Sequence, residues 1–84
     1  MGTREKLRNR FKSKPKDFSW IELASLLKGF GYFPAKGGKT GGSRMRFMHD
    51  SLPPVILHKP HPSPVLKRYQ IGQIYEFLIE EGLL

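Results

Sequence analysis

The chain has 84 residues, no cysteine, and fifteen Lys and Arg against seven Asp and Glu, giving a formal charge of +8 and a pI near 10.1. A chain this short buries one modest core, which excludes a separate cofactor-binding domain, and the absence of cysteine excludes a disulfide framework or a thiolate zinc site. The excess of cations points to a polyanion or an acidic protein as partner, with nucleic acid the leading candidate.

In chain order, residues 1–16 read as a basic N-terminal arm in which Leu7 and Phe11 are the sizeable apolar residues. Their spacing predicts a short helix from about Arg4 to Lys12, ending before Pro15. Its charges read as a solvated face. Residues 17–84 read as the domain proper. Ser19 followed by Glu22 is a capping box, and Phe18 with Leu23 occupies the two positions of a hydrophobic staple around it. Trp20, Leu23, Ala24, Leu27 and Phe30 then recur on one helical face, with Lys28 suited to the negative end of the dipole and Gly29 or Gly31 available as a left-handed cap.

Tyr32 to Lys36 reads as a short edge strand, because Pro34 cannot donate to a central ladder. From Ser43 the period becomes two: Met45 and Phe47 fall on one side, Arg44 and Arg46 on the other. After the turn from His49 to Pro54, Val55 and Leu57 alternate with Ile56 and His58. Pairing the apolar faces sets Phe47 against Val55 and Met45 against Leu57, and so Arg44 against His58 on the outer face, about 5 Å apart at Cβ. A slip of two residues would bring Arg46 to His58 instead. Pro60, Pro62 and Pro64 end the sheet. A last helix from about Tyr69 to Glu81 turns Ile71, Ile74, Tyr75 and Leu78 inward and stops at Gly82. Gly72 within it costs about 1 kcal/mol relative to Ala and is read as a mark of close packing.

The fold class expected is α+β. Helix, three strands and helix match a double-stranded-RNA-binding-like α-β-β-β-α layout, a three-stranded antiparallel sheet with two helices on one face, preceded by the short basic arm or helix. The open face is then free for a ligand or partner.

The segment from Trp20 to Leu84, about four fifths of the chain, also carries a family resemblance. The matching features are the helix Leu23-Ala-Ser-Leu-Leu-Lys-Gly-Phe-Gly-Tyr32, the Gly42-Ser43 pair opening a basic strand, the Pro60-His61 step, the Leu66-Lys67 pair, and the ending Glu81-Gly82-Leu83. In these it resembles the HicA family of toxins, the RNA-cleaving half of bacterial HicA–HicB toxin–antitoxin pairs. The resemblance implies a small cytoplasmic endoribonuclease, an mRNA interferase that works without metal or cofactor and arrests growth until a HicB-like antitoxin covers it.

The family's Gly-Ser is usually followed by a histidine taken as catalytic, whereas here Ser43 is followed by Arg44. A guanidinium stays protonated and cannot be a general base, although it can hold phosphate or stabilise a pentacovalent transition state. RNA cleavage without metal needs a base for the 2′-hydroxyl and an acid for the leaving oxygen. His58 is the first choice, His61, at the family's Pro-His step, the second, and His49, beside Asp50 in a turn, the third. The catalytic set expected is therefore His58, His61 and Arg44, and the RNA-binding set Lys39, Ser43, Arg44, Arg46, Lys59, Lys67 and Arg68.

Other readings are weaker. His58-Lys-Pro-His61 has neither cysteine nor an acidic cluster nearby, so no metal site is expected. Gly37-Gly-Lys-Thr40 has the end of a P-loop without its first glycine, and reads as a β-turn. Trp20, Phe30 and Phe47 lie on core faces and read as packing residues, whereas Tyr69 precedes the core stripe and reads as exposed. No apolar run approaches the roughly 18 residues of a membrane span. The basic N-terminus lacks the apolar stretch of a signal peptide, and Lys6 stands where a myristoylation signal has Ser or Thr. Two further function classes are a non-catalytic RNA-binding module of the same fold and a basic protein-interaction domain.

Overall fold

The computed structural model describes residues 3–35, 44–60 and 63–84. Among these it has helix α1 over Thr3–Lys12, helix α2 over Trp20–Gly29, strands β1 over Phe33–Pro34, β2 over Arg44–Met48 and β3 over Val55–His58, and helix α3 over Arg68–Glu80. The strands form one antiparallel sheet in the order β1-β2-β3. The result is a small α+β fold with an open sheet. Among the described residues no helix is long and apolar enough to cross a membrane.

α2 starts where its capping chemistry dictates. Ser19 is extended, its Oγ accepts the Glu22 N–H at 3.2 Å, and Glu22 Oε1 accepts the Ser19 N–H at 2.9 Å. Two of the orphan donors of the first turn are thereby satisfied. Phe18 and Leu23, the staple residues, are both fully buried. The helix ends at Gly29, and it is Gly31, at φ +99°, that takes the left-handed position after the C-cap Phe30. A side chain could not replace it cheaply, because an added Cβ would lie 2.9 Å from His49 Nε2.

The sheet has the register that its period predicts. Phe47 pairs with Val55, Met45 with Leu57, Arg46 with Ile56 and Arg44 with His58. Phe47 and Val55 are buried, and Met45 and Leu57 pack against the core. Trp20 of α2 meets Phe47 with ring centroids 5.7 Å apart. Ile71, Ile74 and Leu78 of α3 join the same core. β1 is an edge strand, as Pro34 requires, and it is shorter than the predicted Tyr32–Lys36. Lys36 lies outside the described residues.

α3 begins and ends one residue earlier than its periodicity predicts. Its N-cap, Lys67, has no side-chain acceptor to offer the first turn. Gln70 does half of the capping work instead, its Oε1 accepting the Lys67 N–H at 3.0 Å. Gly82, at φ +78°, stops the helix. One expectation is corrected here: Gly72 does not mark close packing, since a Cβ built on it meets nothing within 4 Å.

The basic arm is tied to the rest. Phe11 of α1 is fully buried, 5.1 Å from the Phe18 ring and 6.4 Å from Tyr75. Burying a phenylalanine to this extent contributes roughly 1.5–3 kcal/mol. Arg10 reaches Glu22 through Nε and Nη2 at 3.0 and 3.2 Å, and Asp17 at 3.1 Å. The Lys14 ammonium sits 4.5 Å from the centre of the Tyr75 ring. Leu7 packs on the core from the same helix.

A second tie closes the middle of the chain. The Trp20 N–H donates to Pro64 O at 2.7 Å and the Leu66 N–H to Phe18 O at 2.8 Å, around an antiparallel bridge between Ser19 and Val65. The start of α2 and the approach to α3 are thus joined rung to rung.

Candidate functional site

Alternation along the strands divides the sheet. Directly paired residues share a face, so Arg44, Arg46 and Met48 of β2 lie with Ile56 and His58 of β3 and Phe33 of β1 on the side away from Phe47 and Val55. Arg44, Arg46 and His58 are exposed, and Phe33 and Ile56 are each 48 % exposed. The face is therefore apolar along Phe33, Met48 and Ile56, and cationic along Arg44 and Arg46.

The ladder also fixes how close these groups come. The Ala35 N–H donates to Arg46 O at 2.8 Å, so the backbone groups of Arg46 point to β1 and away from β3. Arg46 with Ile56, and Arg44 with His58 two residues along, are then non-hydrogen-bonded pairs. Pairs of this kind bring Cα atoms to about 4.5 Å and their side chains closest. The Arg44 guanidinium can reach an anion held at the His58 imidazole. Arg10 pairs with Asp17 and Glu22, whereas neither arginine of this face takes part in an ion pair among the described residues. Their charge is available to a ligand.

His58 is held from behind. Gln70 Nε2 donates to His58 O at 2.9 Å while its Oε1 holds the Lys67 N–H, so one buried side chain links α3 to the end of β3. Lys59, Lys67 and Arg68 are exposed around that link. Lys39, Ser43 and His61, the remaining predicted site residues, lie outside the described residues.

His49 is corrected from candidate catalyst to structural residue. Its Nδ1 accepts the N–H groups of Ser51 and Leu52 at 3.0 and 3.2 Å, which leaves Nε2 to carry the proton and donate to Phe30 O at 2.9 Å. The ring also stands edge-on to Tyr32 at 4.8 Å. Both ring nitrogens are thus engaged by backbone groups and neither is turned to the open face. Tyr32 in turn donates to Pro53 O at 2.8 Å, and burial first, then the charge of Glu81, raise its phenol above the usual range.

Trp20 and Phe47 are core residues and Phe30 packs against the core, as their spacing predicts, and Tyr69 is 59 % exposed. The sequence alternation places Ile56 with His58, but Phe33 was missed as a member of the open face. Phe33 could have been found by carrying the period of two back from Pro34, whose edge position was recognised. Among the described residues no group of three or more histidines and carboxylates is placed to hold a metal ion. Comparisons with protein-family models, with curated proteins and with solved structures found no match.

Proposed function

We propose that this chain is a metal-independent endoribonuclease of the HicA type, with a double-stranded-RNA-binding-like fold, acting on mRNA in the cytoplasm and held in check by a HicB-like antitoxin. The observation that carries the reading is the opposition of Arg44 and His58 on an exposed sheet face with a second free arginine beside them. Arg44 and Arg46 bind the scissile phosphate and its neighbour, and Arg44 stabilises the charge that grows on the non-bridging oxygens. His58 takes the proton from the 2′-hydroxyl. The 2′-oxygen then attacks the adjacent phosphorus and the 5′-oxygen leaves, giving a 2′,3′-cyclic phosphate and a 5′-hydroxyl. An acid must protonate that leaving oxygen, and His61 is assigned this role by its place in the sequence.

The test is digestion of a messenger RNA by the purified chain with EDTA present, scoring fragments that end in cyclic phosphate. Cleavage that survives EDTA and falls about 10²–10⁴-fold in His58→Ala supports the reading. RNA left intact by the unaltered chain overturns it. Growth arrest on induction, reversed by a HicB-like partner, tests the toxin role.

A second reading is a non-catalytic RNA-binding module. It is favoured by the count of proton-transfer groups: among the described residues, His58 is the histidine on the open face, and Arg44 cannot accept a proton. Retention of RNA on the chain without any cleavage distinguishes this reading from the first. A third reading, a basic protein-interaction domain, would leave RNA unbound even at low salt.

A further inference from the structure

β3 is the second edge of the sheet, and its outer side faces a groove. In an antiparallel ladder the N–H and C=O of one residue point to the same side. Since Ile56 and His58 form non-hydrogen-bonded pairs with β2, their backbone groups point outward from the sheet. His58 O shows this directly, because it accepts from Gln70 of α3. The N–H and C=O of Ile56 and the N–H of His58 have no partner among the described residues.

The groove between this edge and α3 has a volume of about 190 Å³. Gln70, Gln73, Ile74 and Phe77 form one face of α3 along it, at helical spacing, opposite Val55 and Leu57. Its ends carry opposite charge. At the start of α3 stand Lys59, Lys67 and Arg68, all exposed and without an ion pair among the described residues, whereas Glu80 and Glu81 lie beyond Phe77 at the other end. Pro54 and Pro60 flank the strand and limit its free edge to a few residues.

We infer that this edge receives an extended segment of a partner protein, added as a fourth strand beside β3. The segment bonds main chain to main chain with Ile56 and His58, places an apolar side chain between Leu57, Ile74 and Phe77, and ends in Asp or Glu beside Lys59, Lys67 and Arg68. Strand addition takes its affinity from the main-chain bonds and its specificity from the pockets for alternate side chains. Charge complementarity selects the partner: a chain with a formal charge of +8 repels a second copy of itself and attracts an acidic segment. This inference does not rest on the RNA reading, since the edge and groove carry it without the arginine face, although Lys59, Lys67 and Arg68 serve in both.

The test is selection from a displayed library of random peptides about seven residues long against the full chain. One enriched peptide is then synthesised with a fluorescent label. Expected is a consensus of an apolar residue followed by acidic ones, with amide shifts at Ile56 and His58 on binding. Ile56→Pro removes one outward donor without touching the β2 ladder and should weaken the peptide about tenfold. The double variant Lys67→Glu with Arg68→Glu, away from the ladder, should weaken it by a similar factor and remove the acidic preference. No enriched peptide, a consensus lacking acidic residues, or shifts confined to Arg44 and Arg46 would overturn the inference. So would a dimer in sedimentation that Ile56→Pro dissociates, which would assign the edge to a second copy.

Discussion

Arg10 and Glu22 meet through two bonds, Nε to Oε2 at 3.0 Å and Nη2 to Oε1 at 3.2 Å, and the same Glu22 carboxylate closes the capping box of α2. One side chain thus fastens α1 to the domain and begins the next helix.

The first prediction follows from that carboxylate. The bond to Arg10 first, and the Ser19 N–H second, hold Glu22 below its ordinary value of 4.5. A carboxyl whose folded value is depressed contributes stability above its unfolded value and loses it as pH falls through the folded one. Thermal melts should therefore weaken as pH drops below about 4.5. Glu22→Gln should lower the melting temperature at neutral pH and flatten this acid limb, and an unchanged acid limb would refute the assignment.

The glycines give the second prediction as a contrast. Gly31→Ala forces a side chain into a left-handed backbone and against His49, at a cost of roughly 1–3 kcal/mol. Gly72→Ala fills open space inside a helix and should stabilise by about 0.5–1 kcal/mol. Opposite shifts in urea midpoint are the expected result.

His49 provides the third. In its neutral form the ring should be found by nitrogen NMR as the Nε2–H tautomer, given the two N–H groups aimed at Nδ1. His49→Ala strands those donors and the Phe30 carbonyl, which should cost about 1–3 kcal/mol. Any RNA cleavage measured on the folded fraction should be unaffected, because the ring faces the backbone and not the open sheet face.

The fourth concerns the arginines. If Arg46 neutralises a phosphate of a single strand, Arg46→Ala should weaken RNA binding across sequences and make the salt dependence shallower, by about 0.7 in the slope of log affinity against log salt. Measuring affinity over a salt series decides it, and an unchanged slope would remove Arg46 from the interface.

The open face was legible because a period of two and the apolar pairing fix which residues share a face; they left two registers open, and the structure takes the one that sets Arg44 against His58. The docking of α1 was not. Leu7 and Phe11 hinted at a buried stripe, but the residues that anchor the helix, Phe18, Glu22 and Tyr75, are separated from it in sequence. The setting of His49 was hidden for a similar reason: Asp50 is its neighbour in the chain, while the backbone groups that hold its ring come from Phe30, Ser51 and Leu52. Gln70 escaped notice because it borders an apolar stripe, and only the carbonyl at the end of β3 explains a buried amide there.

The rungs joining residues 18–20 to 64–66 give the molecule a neck. Everything from α2 to β3, including the open face, is an excursion whose two ends leave and return at the same point. A single backbone nick within that excursion would leave both halves stitched together at its base. Fragments divided there are natural candidates for reassociation through those rungs.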